Sequence, residues 1–374
     1  MARRKINIAQ PTFLGNEKKY LLDTIESGWI SSIGPYIENF EKEFARYHGV
    51  KHAIATHNGT IALHLALAAS GIGEGDEVIV PDLTFIATAN SVRYCNAIPV
   101  LTDVCPDDWN ISPAEIEKHL TQATKAIIPV HLYGNPARIE EIMKIAQDHK
   151  LIVIEDCAEA PGALYNGEKV GTFGDIGCFS FFGNKVITTG EGGMCITNKD
   201  ELAHRMRILR DHGMNLQKKY KYDYLGFNYR MTNMQAAVGL AQLEQLDELL
   251  IARDKIYLAY KSAFTSYSRF LLQENHGQRN VNWIFTLRME GITEDRRDNI
   301  MQVLREQLID TRPVFYPIHT MPFYMDKKYI RSENLNATIL SREGISLPTY
   351  VGLSEDDIAY ISDSMIMAFK QVVL

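Results

Sequence analysis

The chain has 374 residues, 46% of them hydrophobic and 23% charged, and its 39 basic and 46 acidic side chains leave a net charge of −7. That balance suits a globular protein of one large and one smaller domain and excludes a disordered chain. The acidic surplus argues against a nucleic-acid binder or a polybasic membrane-surface protein, and no apolar run approaches the ~20 residues that cross a bilayer. In chain order, helical text at Ile61–Ala69 is followed by a strand at Glu77–Pro81, a helix at Thr88–Asn96 and a strand at Ile98–Thr102. A helix at Pro113–Leu120, a strand at Lys125–His131, a helix at Ala137–His149 and a strand at Leu151–Asp156 continue the alternation. Continuous apolar strands between amphipathic helices predict an α/β domain built on a mainly parallel sheet. Gly177–Phe182 and Gly193–Thr197 read as two further strands; with no crossover helix between them, they can pair as a hairpin. Helices are expected at Lys199–His212 and Met234–Lys255, the second carrying Leu240, Leu243, Leu246 and Leu249 on one stripe. Beyond about 256 the text is less regular, with a strand at Trp283–Arg288 and helices at 296–308 and 355–371, and predicts a smaller α+β domain.

Met1-Ala2-Arg3-Arg4-Lys5 is charged but has no apolar stretch behind it, so no secretory leader is expected and the expected location is the cytoplasm. The five cysteines (Cys95, Cys105, Cys157, Cys178, Cys195) include no C-x-x-C pair and the histidines no H-E-x-x-H, so neither a disulfide framework nor a metal site is expected. Gly162 to Lys169 lacks the Gly-Lys-Ser/Thr ending of a phosphate loop, Gly71 to Asp76 lies in the wrong order for a dinucleotide fingerprint, and no Gly-x-Ser-x-Gly elbow occurs. The informative segment is Phe179-Ser-Phe-Phe-Gly-Asn-Lys185 with Gly190-Glu-Gly-Gly193 behind it. A lysine in apolar, glycine-rich text loses solvation, which lowers its pKa and makes its amine nucleophilic; a surface turn is the alternative. Asp156 ends an apolar strand, where a carboxylate suits a pyridinium N–H or, equally, the cap of a following helix. Asn58-Gly-Thr60 precedes a helix whose free N–H groups can hold a phosphate, with an ordinary N-cap as the alternative. Phe85 offers a stacking face, or core packing.

Taken in order, a phosphate cradle, a stacking aromatic, a strand-end acid and a lysine in apolar text resemble fold type I pyridoxal-phosphate (PLP) enzymes, and more narrowly the nucleotide-sugar aminotransferase family. The likeness runs nearly end to end, through Gly28-Trp-Ile-Ser-Ser32, Asn58-Gly-Thr60, Gly75–Pro81, Pro129–Gly134, Ile154-Glu-Asp156, Ser180–Gly193 and Asn228-Tyr-Arg-Met-Thr232. It implies an aspartate-aminotransferase-like fold: a large domain (1–250, with an N-terminal arm 1–15) on a mainly parallel seven-stranded sheet, and a small α+β domain (251–374). It implies transfer of the amino group of L-glutamate, through the pyridoxamine phosphate (PMP) form of the cofactor, to C4 of a nucleotide-linked 4-keto-6-deoxy sugar. Trp29–Ser32, Phe181–Lys185 and Arg312-Pro-Val-Phe315 point within the family to GDP-4-keto-6-deoxy-D-mannose. A UDP- or dTDP-linked sugar and a non-catalytic regulator are alternatives, whereas a sugar dehydratase is disfavoured because Lys185 is retained.

By this resemblance Lys185 is the Schiff-base lysine and general acid/base, and Asp156 pairs with the pyridine nitrogen. Glu159 stands where the family often has Gln or His facing the cofactor's phenolic oxygen, a place in which a carboxylate must share a proton. Gly59, Thr60 and Ser180 bind the phosphate and Phe85 stacks on the ring. Asn228 reaches the phosphate of a neighbouring subunit, which makes a homodimer with shared active sites the minimum and a tetramer an alternative. Arg230 serves an acidic group of a substrate. Trp29, Ser31, Ser32, Trp283, Arg312, Tyr316 and His319 are the sugar-nucleotide candidates, Arg312 toward the diphosphate; packing at a domain interface is the alternative for each.

Overall fold

The computed structural model describes residues 4–373; Met1–Arg3, at the start of the expected N-terminal arm, and Leu374, the last residue of the expected small domain, lie outside the described residues. Helices α1 (Glu17–Glu26) and α2 (Pro35–His48) lead into β1 (His52–Thr56), α3 (Gly59–Ala69), β2 (Glu77–Pro81) and α4 (Ala87–Tyr94). There follow β3 (Ile98–Thr102), α5 (Pro113–His119), β4 (Thr124–Ile127), α6 (Ile139–His149) and β5 (Ile152–Asp156). A short hairpin of β6 (Leu164–Tyr165) and β7 (Glu168–Lys169) precedes β8 (Ile176–Ser180), β9 (Gly193–Thr197) and α7 (Asp200–Arg210). Local chemistry sets several boundaries. Pro113 starts α5 behind the Ser112 cap, Thr232 and Gln235 close a capping box ahead of Asn233, and Gly49 ends α2 at a φ of 70°.

Seven strands form one sheet in the order β1-β9-β8-β5-β4-β2-β3. β1–β9 and β8–β9 are antiparallel and the four other pairings are parallel, so only β9 runs against the rest. The mainly parallel seven-stranded sheet and the 177–197 hairpin are thus as expected. Both faces are covered. Val78, Val80, Leu101 and Ile154 pack under α3, α4 and α7, while Ile79, Val100, Ile127 and Val153 face α5 and α6. Phe40 and Phe44 of α2 close the β8–β9 end against Phe179 and Phe181, with ring centroids 5.1–5.5 Å apart. Gly177 shows how tight this end is. A Cβ there would lie 2.4 Å from Gly171 O and 2.7 Å from its Cα, both backbone atoms. Gly177→Ala is therefore expected to cost about 1–3 kcal/mol in urea unfolding; an unchanged midpoint would mean that the Gly171 turn yields freely.

The text read as one helix over 234–255 is two, α8 (Asn233–Glu244) and α9 (Leu246–Phe264), broken at Gln245. Residues three apart drift 60° per step around a helix, so four leucines at that spacing leave one face. The break returns them, and Leu240, Leu243, Leu246 and Leu249 all enter the core under α2 and β8. α9 carries the chain into a four-stranded antiparallel sheet, β10 (Phe270–Leu272), β11 (Phe285–Met289), β12 (Arg312–Pro313) and β13 (Gly344–Leu347), in the order β10-β11-β13-β12. α10 (Glu294–Glu306), α11 (Leu335–Glu343) and α12 (Glu355–Val373) complete this part. Ile6 bridges to Ile309 and packs in the same cluster, so the N-terminal arm joins the small sheet's core. Among the described residues no helix is long and apolar enough to cross a membrane.

Candidate active site

Because β1, β2, β5 and β8 run the same way, their C-terminal ends share one edge of the sheet. Asn58–Thr60, Asp82–Phe85, Asp156 and Ser180 collect there. Asn58 caps α3, its Oδ1 accepting from Ile61 N at 2.9 Å and its carbonyl from Ala62 N at 3.1 Å, which leaves the Gly59 and Thr60 N–H groups for another acceptor. A Cβ on Gly59 would lie 2.7 Å from Ser180 Cβ and 3.0 Å from its Oγ, so only a glycine lets the start of α3 lie against Ser180 and brings that hydroxyl beside the free N–H groups. The group sits on a helix N-terminus, which favours an anion by geometry and dipole.

Asp156 is buried. Thr88 Oγ1 donates to its Oδ2 at 2.8 Å and Ala158 N to its Oδ1 at 3.1 Å. Burial pushes its pKa above the usual carboxylate range, while the Thr88 bond, the Ala158 N–H and the Lys185 charge pull back. Its strand is fixed from below by His131 N donating to Asp156 O, and the His131 ring in turn meets Glu155 Oε2 at 3.1 Å. His131 Nδ1 accepts from Ala137 N, so the proton is assigned to Nε2, which donates to Glu155.

Lys185 lies in the 181–192 loop between β8 and β9, its side chain only 11% exposed. Its Nζ is 3.7 Å from Glu159 Oε1 and 3.9 Å from the Trp283 ring centroid. Burial lowers the Lys185 pKa, against the pull of the Glu159 and Asp156 charges. Burial also lifts Glu159 to about 7, opposed first by the Lys185 charge and then by the Tyr133 N–H, which donates to Oε2 at 2.7 Å. Tyr133 holds a left-handed φ of 56°, costly for a bulky residue, and its ring stacks on Phe315 at 5.6 Å and on Trp283 at 6.1 Å. Phe85 touches Phe315 at 6.0 Å and is 55% exposed, so it ends this aromatic wall with a free face. Gly59, Thr60, Phe85, Asp156, Glu159, Ser180, Lys185 and Trp283 are thus gathered at the sheet edge and the wall beside it. His319 joins them, its N and Nδ1 both bonded to buried Asp82.

The remaining candidates lie elsewhere. Arg230 donates to Asp211 Oδ1 at 2.6 Å and to Asn228 Oδ1 at 3.1 Å, and with Ser32 it lines a cavity of about 480 Å³ that Arg207 and Lys219 also border. Trp29 O and Ser31 O are held by Asn233 at 2.7 and 2.6 Å. Gln235 Nε2, donating to Glu191 O at 2.6 Å, ties this second group to the end of the lysine loop. Arg312 is paired with Asp310 at 2.8 Å and Tyr316 meets Arg297 at 3.3 Å, so the polar contacts of both run within the small domain. Thr88 and Tyr133 carry no role in the sequence reading. Tyr133 stood inside the Pro129–Gly134 block, and Thr88 was read only as the start of a helix.

The model of the DegT/DnrJ/EryC1/StrS aminotransferase family matches residues 12–366. The chain belongs to that family. Among the curated relatives of this aminotransferase, a GDP-perosamine synthase of Caulobacter vibrioides is 48% identical over 99% of both chains. A GDP-perosamine synthase of Escherichia coli O157:H7 is 45% identical over 96% of this chain and 97% of its own. Among solved structures, the PMP form of Spr1654 from Streptococcus pneumoniae superposes with a TM-score of 0.94 at 26% identity, covering 99% of this chain and 98% of that one; a PLP form is also known. The family's cofactor fits the residues present. The free Gly59 and Thr60 N–H groups with the Ser180 hydroxyl could hold a phosphate, Phe85 has a free ring face, Asp156 keeps acceptor capacity for a ring N–H, and the Lys185 amine stands close by. Asn184 Oδ1, buried next to that lysine, has no partner among the described residues.

Proposed function

We propose that this aminotransferase moves the amino group of L-glutamate to C4 of GDP-4-keto-6-deoxy-D-mannose, yielding GDP-perosamine. The observation that carries this reading is the near full-length identity to GDP-perosamine synthases from two bacteria. PLP, when bound, supplies the electron sink that stabilises negative charge on the carbon being deprotonated. The chain supplies the rest. Gly59 N–H, Thr60 N–H and the Ser180 hydroxyl would hold its phosphate, Phe85 would offer its free face to the ring, and Asp156 would favour a protonated ring nitrogen. Lys185 Nζ takes the α-proton of glutamate in one half-reaction and delivers a proton to sugar C4 in the other. Burial lowers its pKa from the ordinary lysine value, a shift toward the free amine that a base requires. Glu159 shares a proton at the phenolic oxygen's side of the site. Trp283, Tyr133 and Phe315 wall the lysine off from bulk water.

The same reading makes the chain a cytoplasmic homodimer whose product enters an O-antigen or other lipopolysaccharide. Asn228 reaches the neighbouring subunit's cofactor phosphate, and Arg230 faces an acidic group of the substrate. Trp29, Ser31 and Ser32 approach the sugar nucleotide, as do His319, Tyr316 and Arg312. The dimer has support in an exposed apolar series, Phe13, Leu14, Leu22, Ile25, Trp29, Ile30 and Ile33, each 49–66% exposed. One absorbance titration tests the substrate. The visible band of the PLP-loaded protein is expected to fall on adding L-glutamate and to return on adding GDP-4-keto-6-deoxy-D-mannose. A band that answers glutamate but returns only with a UDP- or dTDP-linked keto-sugar would overturn the GDP assignment, and a band deaf to glutamate would leave a regulator.

A further inference from the structure

We infer that Trp283 and Glu159 form a seat for the free amine of Lys185, which makes Trp283 a positioning residue for proton transfer and not a contact of the sugar. This rests on the proposed aminotransferase reaction, in which the lysine amine is set free whenever the amino group rides on the cofactor. An amine released into a buried site needs partners there, or it loses its charge or wanders from the carbon it must serve.

The contacts close a ring. Lys185 Nζ lies 3.9 Å over the Trp283 indole and 3.7 Å from Glu159 Oε1. Trp283 Nε1 donates to Asn184 O at 2.7 Å, so the indole grips the residue preceding the lysine as well as the amine itself. The same indole stacks on Tyr133 with an interplanar angle of 18°. The Tyr133 N–H donates to Glu159 Oε2, which leaves Oε1 for the lysine. Tyr133 is held in its left-handed conformation between Trp283 and Phe315, both from the second half of the chain. The charged groups facing Nζ are Glu159 and Asp156, both carboxyls at the end of β5 or in the turn behind it. From the small-domain side the facing group is the neutral indole. Trp283 is 4% exposed, which leaves little of it for a substrate to touch. A π face and a carboxylate at these distances select an ammonium.

The test reads Lys185 directly. The full chain, stripped of cofactor, and separately the PLP-loaded chain converted with L-glutamate, are treated with acetic anhydride across a pH series. Modification of Lys185 is followed by peptide mass spectrometry. Losing the π face removes a partner of the ammonium while burial remains, so Trp283→Leu should lower the pH midpoint of labelling by roughly 0.5–1 unit. Trp283→Phe keeps a weaker face and should lower it by less than half as much; if Leu does not fold, the direction of the Phe shift decides. Glu159→Gln should move the midpoint the same way. In turnover, Trp283→Leu should slow both half-reactions by about 3–10-fold with the KM for the sugar within twofold. An unmoved midpoint, or a raised sugar KM at unchanged kcat, overturns the seat. Failure of the aminotransferase reading has its own signature, a visible band that ignores glutamate, and the labelling of the cofactor-free chain decides on the seat even then.

Discussion

Lys185→Ala is expected to lower transamination by at least about 10⁴-fold. Both proton transfers of the proposed reaction use one amine, and among the described residues the ion pair at Glu159 is with Lys185 alone, so no second amine is paired there to take them over. The Gly59 and Thr60 N–H groups, the Ser180 hydroxyl, the Phe85 face and Asp156 do not depend on the lysine side chain, so the variant should still fold and still retain PMP through dialysis. Small primary amines such as methylamine should restore part of the rate, because truncation to alanine leaves room beside the Trp283 ring. A variant that transaminates at the wild-type rate would remove Lys185 from the reaction altogether.

The second large effect is expected at Asp156. Asp156→Asn keeps the size of the side chain and one acceptor for Thr88 or Ala158, yet removes the negative charge from a buried position where few other charges compensate. A ring nitrogen that must stay protonated then loses its counter-charge in a low-dielectric site, an effect of about 10²–10³ in kcat for a pre-organised charge. KM values should change little, since Asp156 is buried at the end of β5 and is assigned to the cofactor and not to a substrate. Thermal stability should change little, because the cost of burying a carboxylate is removed together with one of its two hydrogen bonds. Should kcat fall only a few-fold while the melting temperature drops sharply, Asp156 would be a structural cap and the electrostatic role would be lost.

Much of the large domain was legible because parallel strands buried on both faces leave unbroken apolar runs. Glu77–Pro81, Ile98–Thr102 and Gly193–Thr197 have the expected bounds. β1 was not legible. His52-Ala-Ile-Ala-Thr56 is short and mild, and it becomes a strand by pairing with β9, whose residues lie far along the chain. The break at Gln245 carries no glycine or proline and follows from the core's demand that four leucines share a face. In the site, Asp156, Lys185 and the Asn58–Thr60 turn stand out because their chemistry conflicts with their apolar or glycine-rich surroundings. Thr88 and Tyr133 could not be found that way. A threonine at a helix start and a tyrosine before a glycine are common text, and their parts depend on a carboxylate 68 residues away and on a left-handed backbone. Arg312 and Tyr316 were named through the family resemblance, whereas the structure pairs Arg312 with Asp310 two residues away and Tyr316 with Arg297 of α10.

The reversed strand β9 has a mechanical consequence. Since β8 and β9 pair from Ser180 with Gly193 onward, both ends of the loop bearing Lys185 are rooted in one sheet. Phe181 N to Gly192 O, Thr189 N to Phe181 O and Lys185 N to Phe182 O cross-brace what lies between, and Gln242 of α8 holds Thr188. The lysine is therefore a swinging arm on a fixed hinge. Any relocation of its tip is made by χ rotations of the side chain, with no backbone excursion to wait for. Solvent viscosity, which slows loop and domain movements, has nothing to act on in that swing.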